Sequence, residues 1–247
     1  MLFKNKALIQ LETVDSTNNY AASMVKLSKP PEGTVITSLE QTEGKGQRGA
    51  VWVSTPGANL LMSMILYPPF IGADDLFGLS QVVSLAAAEV VESLTDKDTC
   101  VKWPNDIMVQ DRKIAGILIE SAWTDSRLQS AVCGIGLNVN ELLDIHPNAT
   151  SLFKLTGKHH DLDLCRELIT NRIEAYYLRL RTGQQSAIHQ EYQSKLYRLN
   201  QSTRFTRAGD EFTATITGVT RSGRLQLCRE SGETSHFNLK EVQMILP

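Results

Sequence analysis

Apolar residues recur at Leu79, Val82, Val83, Ala86, Ala87, Val90, Val91 and Leu94. That is one face of a 3.6-residue period and predicts a long helix over Leu76 to Leu94. The same spacing predicts helices over Leu162 to Arg181 and Gln185 to Tyr197. Strand signals come earlier: Ala7 to Leu11, the β-branched run Thr34 to Ser38, and the apolar run Leu60 to Tyr67, stopped by Pro68-Pro69. Asp15-Ser16-Thr17-Asn18 suits a helix N-cap before a short helix over Asn19 to Lys26. Val101-Lys102 and Ile107 to Val109 read as strands, Gln110-Asp111-Arg112 turns into Lys113 to Glu120 as a hairpin, and Leu128 to Asn140 follows. Beyond Asn200 the period changes to short strands at Thr203 to Arg207, Glu211 to Val219, Arg224 to Arg229 and Thr234 to Asn238, with turns at Arg221-Ser222-Gly223 and Glu230-Ser231-Gly232. The pattern predicts an α+β domain over residues 1–199 and a small all-β domain, a β-barrel, over 200–247.

Composition narrows the class. The 247 residues carry 25 Lys+Arg against 27 Asp+Glu, a net charge of −2, with 42% hydrophobic and 21% charged residues. This is the balance of a folded protein and lacks the basic excess of a nucleic-acid binder. The cysteines (Cys100, Cys133, Cys165, Cys228) are widely spaced with no CxxC pair, which disfavours zinc or redox motifs and suits free thiols in a reducing compartment. Met1 to Gln10 is too short an apolar stretch for a secretory core, and no run approaches the ~18 apolar residues of a membrane helix. The expectation is a cytoplasmic enzyme with neither membrane nor nucleic-acid partner.

Four segments carry candidate chemistry. Gln41-Thr42-Glu43-Gly44-Lys45-Gly46-Gln47-Arg48-Gly49 reads as a mobile glycine-rich loop whose backbone N–H groups, with Lys45 and Arg48, suit an anion; it is neither a Walker A loop nor a G-x-G-x-x-G turn. Lys102-Trp103-Pro104-Asn105-Asp106 interrupts a strand pair and presents Asn105 and Asp106 on a bend. Lys113 enters an otherwise apolar strand, either reaching solvent or directing its ammonium at a bound anion. In Gly134-Ile135-Gly136-Leu137-Asn138 the alternate glycines clear one strand face, for close packing or for something flat to press on the backbone. Ser16-Thr17-Asn18 is an N-cap that also offers outward donors.

In this order and spacing the chain resembles the biotin protein ligases, with the family's S-T-N at Ser16 to Asn18, its G-R-G-R-type loop at Gly44 to Gln47, K-W-P-N-D at Lys102 to Asp106, K-x-x-G-I-L-x-E at Lys113 to Glu120 and G-x-G-x-N at Gly134 to Asn138. The resemblance covers nearly the whole chain, including an SH3-like C-terminal barrel, with Gly218 to Leu225 and Phe237 to Val242 its points of likeness. It implies a mixed-sheet, class II synthetase-like ligase domain of the short form, without an N-terminal DNA-binding domain. The loop departs from the family where Lys45 and Gln47 replace arginines; Arg48 is the nearest guanidinium.

The resemblance further implies that biotin and ATP give biotinyl-5′-AMP, which a lysine of a biotin carboxyl carrier protein then takes up. It assigns Lys113 to bridging the biotin carboxylate and the α-phosphate, and Lys45 and Arg48 to phosphates, with Mg²⁺ screening the triphosphate through ligands not named. Ser16, Thr17, Asn18, Gln41, Gly44, Gly116, Gly134 and Gly136, with Lys113, are expected around biotin. Gln47, Trp52, Asn105 and Asn138, with the three cations, are expected around the nucleotide, Trp52 closing over the ligand. Trp103 reads equally as core packing or adenine contact, and Asp106 equally as base for the acceptor amine or as the group orienting Lys113. A monomer or homodimer fits the family. A lipoate or octanoate ligase is the alternative within the superfamily; an octanoyl transferase would need an activated cysteine. A biotin-sensing transcriptional regulator is disfavoured because the first strand already begins near Ala7.

Overall fold

The computed structural model describes Phe3 and residues 7–144 and 146–246, at Arg48 for the backbone only; half of the Met1 to Gln10 stretch read above for a leader lies outside these. In chain order the elements are β1 (Leu8–Val14), α1 (Thr17–Ser28), β2 (Val35–Gln41), β3 (Leu60–Leu66), α2 (Phe77–Thr95), β4 (Thr99–Lys102), β5 (Asp106–Val109), β6 (Arg112–Thr124), β7 (Arg127–Leu137), α3 (Leu152–Thr156), α4 (Leu162–Arg181) and α5 (Gln185–Ser194). They are followed by β8 (Ser202–Arg207), β9 (Asp210–Val219), β10 (Leu225–Cys228), β11 (Thr234–Phe237) and β12 (Gln243–Met244).

The first seven strands form one mixed sheet in the order β1-β2-β3-β7-β6-β5-β4, with β1 and β2 parallel and the other pairs antiparallel. Side chains alternate across it, as a period of two requires. Val35, Met62, Met64, Cys133, Ile135 and Leu137 enter the main core beneath α2 and α4, whereas Ile36, Ile65 and Val132 pack with Ala21 of α1 on the opposite face. On that second face β7 continues with Gly134 and Gly136, and β3 presents Ser63. Glycines and a small polar residue therefore leave room beside α1, which is where the candidate site lies.

α2 buries the predicted apolar face and most of its remaining circumference. This corrects the expectation about membrane length: Ala73–Thr95 is long and apolar enough to cross a membrane by length and composition, yet two thirds of its most apolar window is buried inside the protein. Its hydrophobicity is that of a core helix packed between the sheet, α4 and α5. α3, absent from the periodicity because it has barely one turn, starts at Ser151, whose side chain accepts from Lys154 N. α5 stops at Ser194, short of the expected Tyr197.

The C-terminal strands form a separate antiparallel sheet, β11-β10-β9-β8-β12, with Phe205, Ala214, Ile216, Leu225, Leu227 and Phe237 inside. Several contacts tie it to the larger unit, among them an ion pair between Arg221 Nε and Asp75 Oδ1 at 3.2 Å. The Gln193 amide of α5 accepts from Val219 N (2.9 Å) and donates to Val219 O (3.2 Å). Trp103 Nε1 donates to Gly223 O at 2.9 Å, and Gly223 itself holds φ +90° with Phe77 where a Cβ would stand. Trp103 is thus a partly buried anchor between the two sheets.

Candidate active site

α1 starts directly after Ser16, but the Ser16 hydroxyl makes no capping bond. The neighbouring polar side chains build a buried chain of hydrogen bonds across four elements. Thr17 N and Oγ1 donate to Gln41 Oε1 (2.7 and 3.0 Å). Ser63 Oγ lies 2.8 Å from Thr17 Oγ1 and 2.6 Å from Asn18 Oδ1. Asn18 Nδ2 donates to Glu120 Oε2 at 2.8 Å and to Leu118 O at 3.4 Å. Buried polar groups are costly without partners, and this network satisfies each other's needs. Ser63 and Glu120 were not among the expected site residues. Glu120 closes the K-x-x-G-I-L-x-E segment, and Ser63 was detectable as the one polar residue in an apolar strand.

The glycine face is filled rather than open. A Cβ on Gly134 would overlap Asn18 Oδ1, one on Gly136 would stand 2.5 Å from Trp52 Cε2, and one on Gly116 2.9 Å from Trp52 Cζ3. The flat object pressed on the bare backbone is the Trp52 indole. Gly44 supports it from behind, since a Cβ there would strike the Trp52 carbonyl, and Trp52 N donates to Gly44 O at 2.9 Å. Trp52 Nε1 is buried without a hydrogen-bond partner among the described residues. The glycine-rich segment forms a small bridged turn, Lys45 pairing with Val51 and Gln47–Gly49 making one 3₁₀ turn. Lys45 Nζ donates to Asn19 Oδ1 at 2.6 Å. The Arg48 side chain lies outside the described residues.

Lys113 reaches this face because of a β-bulge. Between β5 and β6 the register jumps from Ile107↔Ala115 to Met108↔Lys113, so Ile114 has no partner across the ladder. Ile114 and Ala115 both enter the core, and Lys113 is turned to the side of Gly116, where a Cβ would lie 3.2 Å from its Nζ. Asp106 Oδ1 holds that ammonium at 2.6 Å, while Asp106 Oδ2 is 3.6 Å from Lys102 Nζ. Lys113 Nζ also lies 5.4 Å from the Trp52 ring centroid, within cation–π range. Asn105 braces the bend, its Nδ2 donating to Ile117 O at 2.8 Å.

Two cavities meet here. The smaller, about 220 Å³, collects Ser16, Thr17, Asn18, Gln41, Lys45, Gln47, Trp52, Asn105, Asp106, Lys113, Gly116, Gly134 and Gly136; nearly all the residues expected from sequence converge there. The larger, about 720 Å³, lies beyond Lys113 and is lined by Lys102, Asn138, Glu141 and Lys154 together with Thr206 and Met244 from the C-terminal sheet. Ala50, Val51, Trp52, Asp106 and Lys113 line both. Asn138 is in the second cavity, with its amide committed to Thr150 O at 3.0 Å; Gly44 acts behind Trp52 rather than on a cavity wall. Lys102, Glu141 and the C-terminal wall were not foreseen, because no spacing in the sequence places them at one cavity.

Burial works against thiolate chemistry at three of the four cysteines. Burial pushes the Cys133 thiol up to about 12 and raises Cys100 and Cys165 as well. Among the described residues no group of three or more His, Cys, Asp or Glu side chains is placed to hold a metal ion.

The sequence profile of the biotin/lipoate A/B protein ligase family matches residues 11–138. A bifunctional ligase/repressor BirA of Bacillus spizizenii is 34% identical over 159 residues, 62% of this chain and 48% of the relative. A biotin–[acetyl-CoA-carboxylase] ligase of Paracoccus denitrificans is 32% identical over 154 residues, 60% of this chain and 62% of the relative. The matched part thus spans about half the length of the BirA relative and under two thirds of the other. The biotin protein ligase of Aquifex aeolicus, solved with biotin and ATP, superimposes with a TM-score of 0.81 at 26% identity, over 98% of this chain and 100% of that one. More than half of this chain is covered by the family profile, and its mixed sheet, Lys113 bulge and glycine face all fall within or beside that stretch: the chain belongs to the biotin/lipoate A/B protein ligase family.

Proposed function

We propose that this protein is a biotin–[acetyl-CoA-carboxylase] ligase: it joins biotin to ATP as biotinyl-5′-AMP with release of pyrophosphate, then passes the biotinyl group to a lysine of a biotin carboxyl carrier protein. The observation that carries the reading is Lys113, paired with Asp106 at 2.6 Å and lining both cavities. Biotin would occupy the smaller cavity, where Ser16, Thr17 and Gln41 suit the ureido carbonyl and N–H groups, and ATP the larger. Biotin–ATP chemistry rather than lipoate chemistry is supported by the Aquifex relative, solved with those two ligands.

A carboxylate oxygen must attack the α-phosphorus while pyrophosphate leaves, so two anions are brought together. A unit charge pair at ~4 Å and an effective dielectric near 20 is worth ~4 kcal/mol, which is the scale of repulsion that the Lys113 ammonium offsets. Asp106, already between Lys113 and Lys102, is assigned to orienting Lys113 and not to proton transfer. Lys45 and Arg48 are assigned to phosphates, with Gln47 beside them. Magnesium is taken to arrive with the triphosphate as part of the substrate, since Mg²⁺ is ordinarily held by one or two carboxylates plus phosphate oxygens and not by a protein cage. In the second step the carrier amine attacks the acyl carbon and AMP leaves. Residues 1–199 would form the ligase unit and 200–247 an SH3-like barrel closing its ATP side.

ATP–pyrophosphate exchange measured with biotin, lipoate and octanoate side by side tests this. Exchange with biotin alone is expected; equal exchange with lipoate or octanoate overturns the assignment.

A further inference from the structure

We infer that Glu141 is a positioning residue, whose carboxylate clamps the segment carrying Trp52 onto the segment flanking Lys113. Glu141 is only 6% exposed. Its Oε2 accepts from Thr55 N (2.9 Å) and Asn59 Nδ2 (2.8 Å), and its Oε1 from Thr55 Oγ1 (2.8 Å) and Leu143 N (3.2 Å). All four partners are uncharged donors. A buried carboxylate is expensive unless its lone pairs are met, and a pocket of four converging N–H and O–H groups is a built receptor for one anion. That anion is this chain's own side chain.

The clamp joins two strips of backbone that lie beside the reacting groups. On one side, Thr55 and Asn59 belong to the stretch between Trp52 and β3. On the other, Glu141 O accepts from Ser151 Oγ at 2.8 Å, and the strip ending there holds Lys113: Lys113 N donates to Asn148 O (2.7 Å) and Thr150 N to Lys113 O (2.8 Å). Asn59 adds a second tie, Val139 N donating to its Oδ1 at 2.9 Å. Trp52 and Lys113 form the shared wall of the two cavities, so the clamp sets the distance between the halves of that wall. Its kinetic consequence rests on the ligase reading; its geometric one does not.

The isosteric Glu141→Gln keeps the volume but sets an NH₂ against two of the four donors, whichever way the amide is turned. Labelling with 5-fluorotryptophan gives a ¹⁹F resonance for each of the three tryptophans, with Trp52 assigned through Trp52→Phe. The expected result is a shift or broadening of the Trp52 resonance in E141Q with Trp103 and Trp123 unmoved, and a KM for ATP raised about tenfold in biotin-dependent exchange, a parameter that does not depend on the folded fraction. A Trp52 resonance at its wild-type position, or all three resonances moving together, overturns the clamp. Thr55→Val removes one donor alone; if E141Q does not fold, a shift at Trp52 alone in T55V supports the clamp and its absence overturns it. Wild-type protein without biotin-dependent exchange would overturn the ligase reading and leave the resonances to decide the clamp.

Discussion

The Trp52 indole occupies the space of the side chain that Gly136 does not have: a Cβ at Gly136 would stand 2.5 Å from Trp52 Cε2. Gly136 lies in β7 between Ile135 and Leu137, which both enter the core by the regular alternation of the strand, so Gly136 faces the opposite side. The glycine is required by a side chain 84 positions earlier in the chain (136 − 52), not by its own backbone conformation.

Gly136→Ala should therefore displace Trp52 without breaking the strand. Overpacking a filled site costs about 1–3 kcal/mol, and the indole is the easier of the two to move. A lower thermal midpoint with biotin-dependent exchange reduced at least tenfold is expected; wild-type exchange would show that the indole position is not needed.

Lys113→Ala should leave the fold intact and lower biotin-dependent exchange by at least about 30-fold, the factor that corresponds to half of the ~4 kcal/mol charge interaction. Lys113→Arg should not restore the rate, because a planar fork does not replace a point charge held at 2.6 Å by Asp106. Circular dichroism with exchange kinetics checks both variants.

Ser63→Ala removes the hydroxyl proton shared by Thr17 Oγ1 and Asn18 Oδ1. Leaving a buried acceptor unmet costs about 1–3 kcal/mol, so the urea midpoint should fall accordingly. An unchanged midpoint would mean that water enters and replaces the hydroxyl.

Acid should destabilise the protein in two stages. Burial, then the charge of Arg221, lowers the His189 pKa, so its contribution is complete above the ordinary histidine value near 6.5 and is lost as pH falls through the lower folded value. Burial alone would raise the Glu141 carboxyl, but its bonds from Thr55, Asn59 and Leu143 outweigh that and hold it below the usual range. Its contribution is complete above about pH 4.3 and is lost as pH falls further. Thermal midpoints from pH 8 to 3 should fall in both windows; burial lowers His160 as well, so His189→Gln should make the upper fall shallower and leave the lower one unchanged.

Trp103→Phe removes the donor to Gly223 O while keeping most of the ring packing. A loss of about 1 kcal/mol is expected from the hydrogen bond, together with a raised KM for ATP, because the C-terminal sheet lines the larger cavity. A KM unchanged alongside a lowered midpoint would restrict Trp103 to stability.

The sequence by itself determined the helices and strands whose own period commits them. α2 and α4 were legible because an apolar stripe over many turns can be buried in only one way, and β8 to β11 because short alternating runs punctuated by Ser-Gly and Gly turns close locally. It also singled out segments that the fold brings to the two cavities, since Ser16 to Asn18, Lys102 to Asp106, Lys113 and Gly134 to Gly136 stand in recognisable spacing. What faces what was decided only by the tertiary structure. The unpaired Ile114 shifts β6 by one residue, and one residue is the difference between a lysine aimed at the core and one aimed at the glycine face. The occupant of that face, Trp52, and the clamp on it, Glu141, come from segments that no local pattern connects to β7. Contacts across such separations depend on the register of a seven-stranded sheet, which short-range preference does not contain.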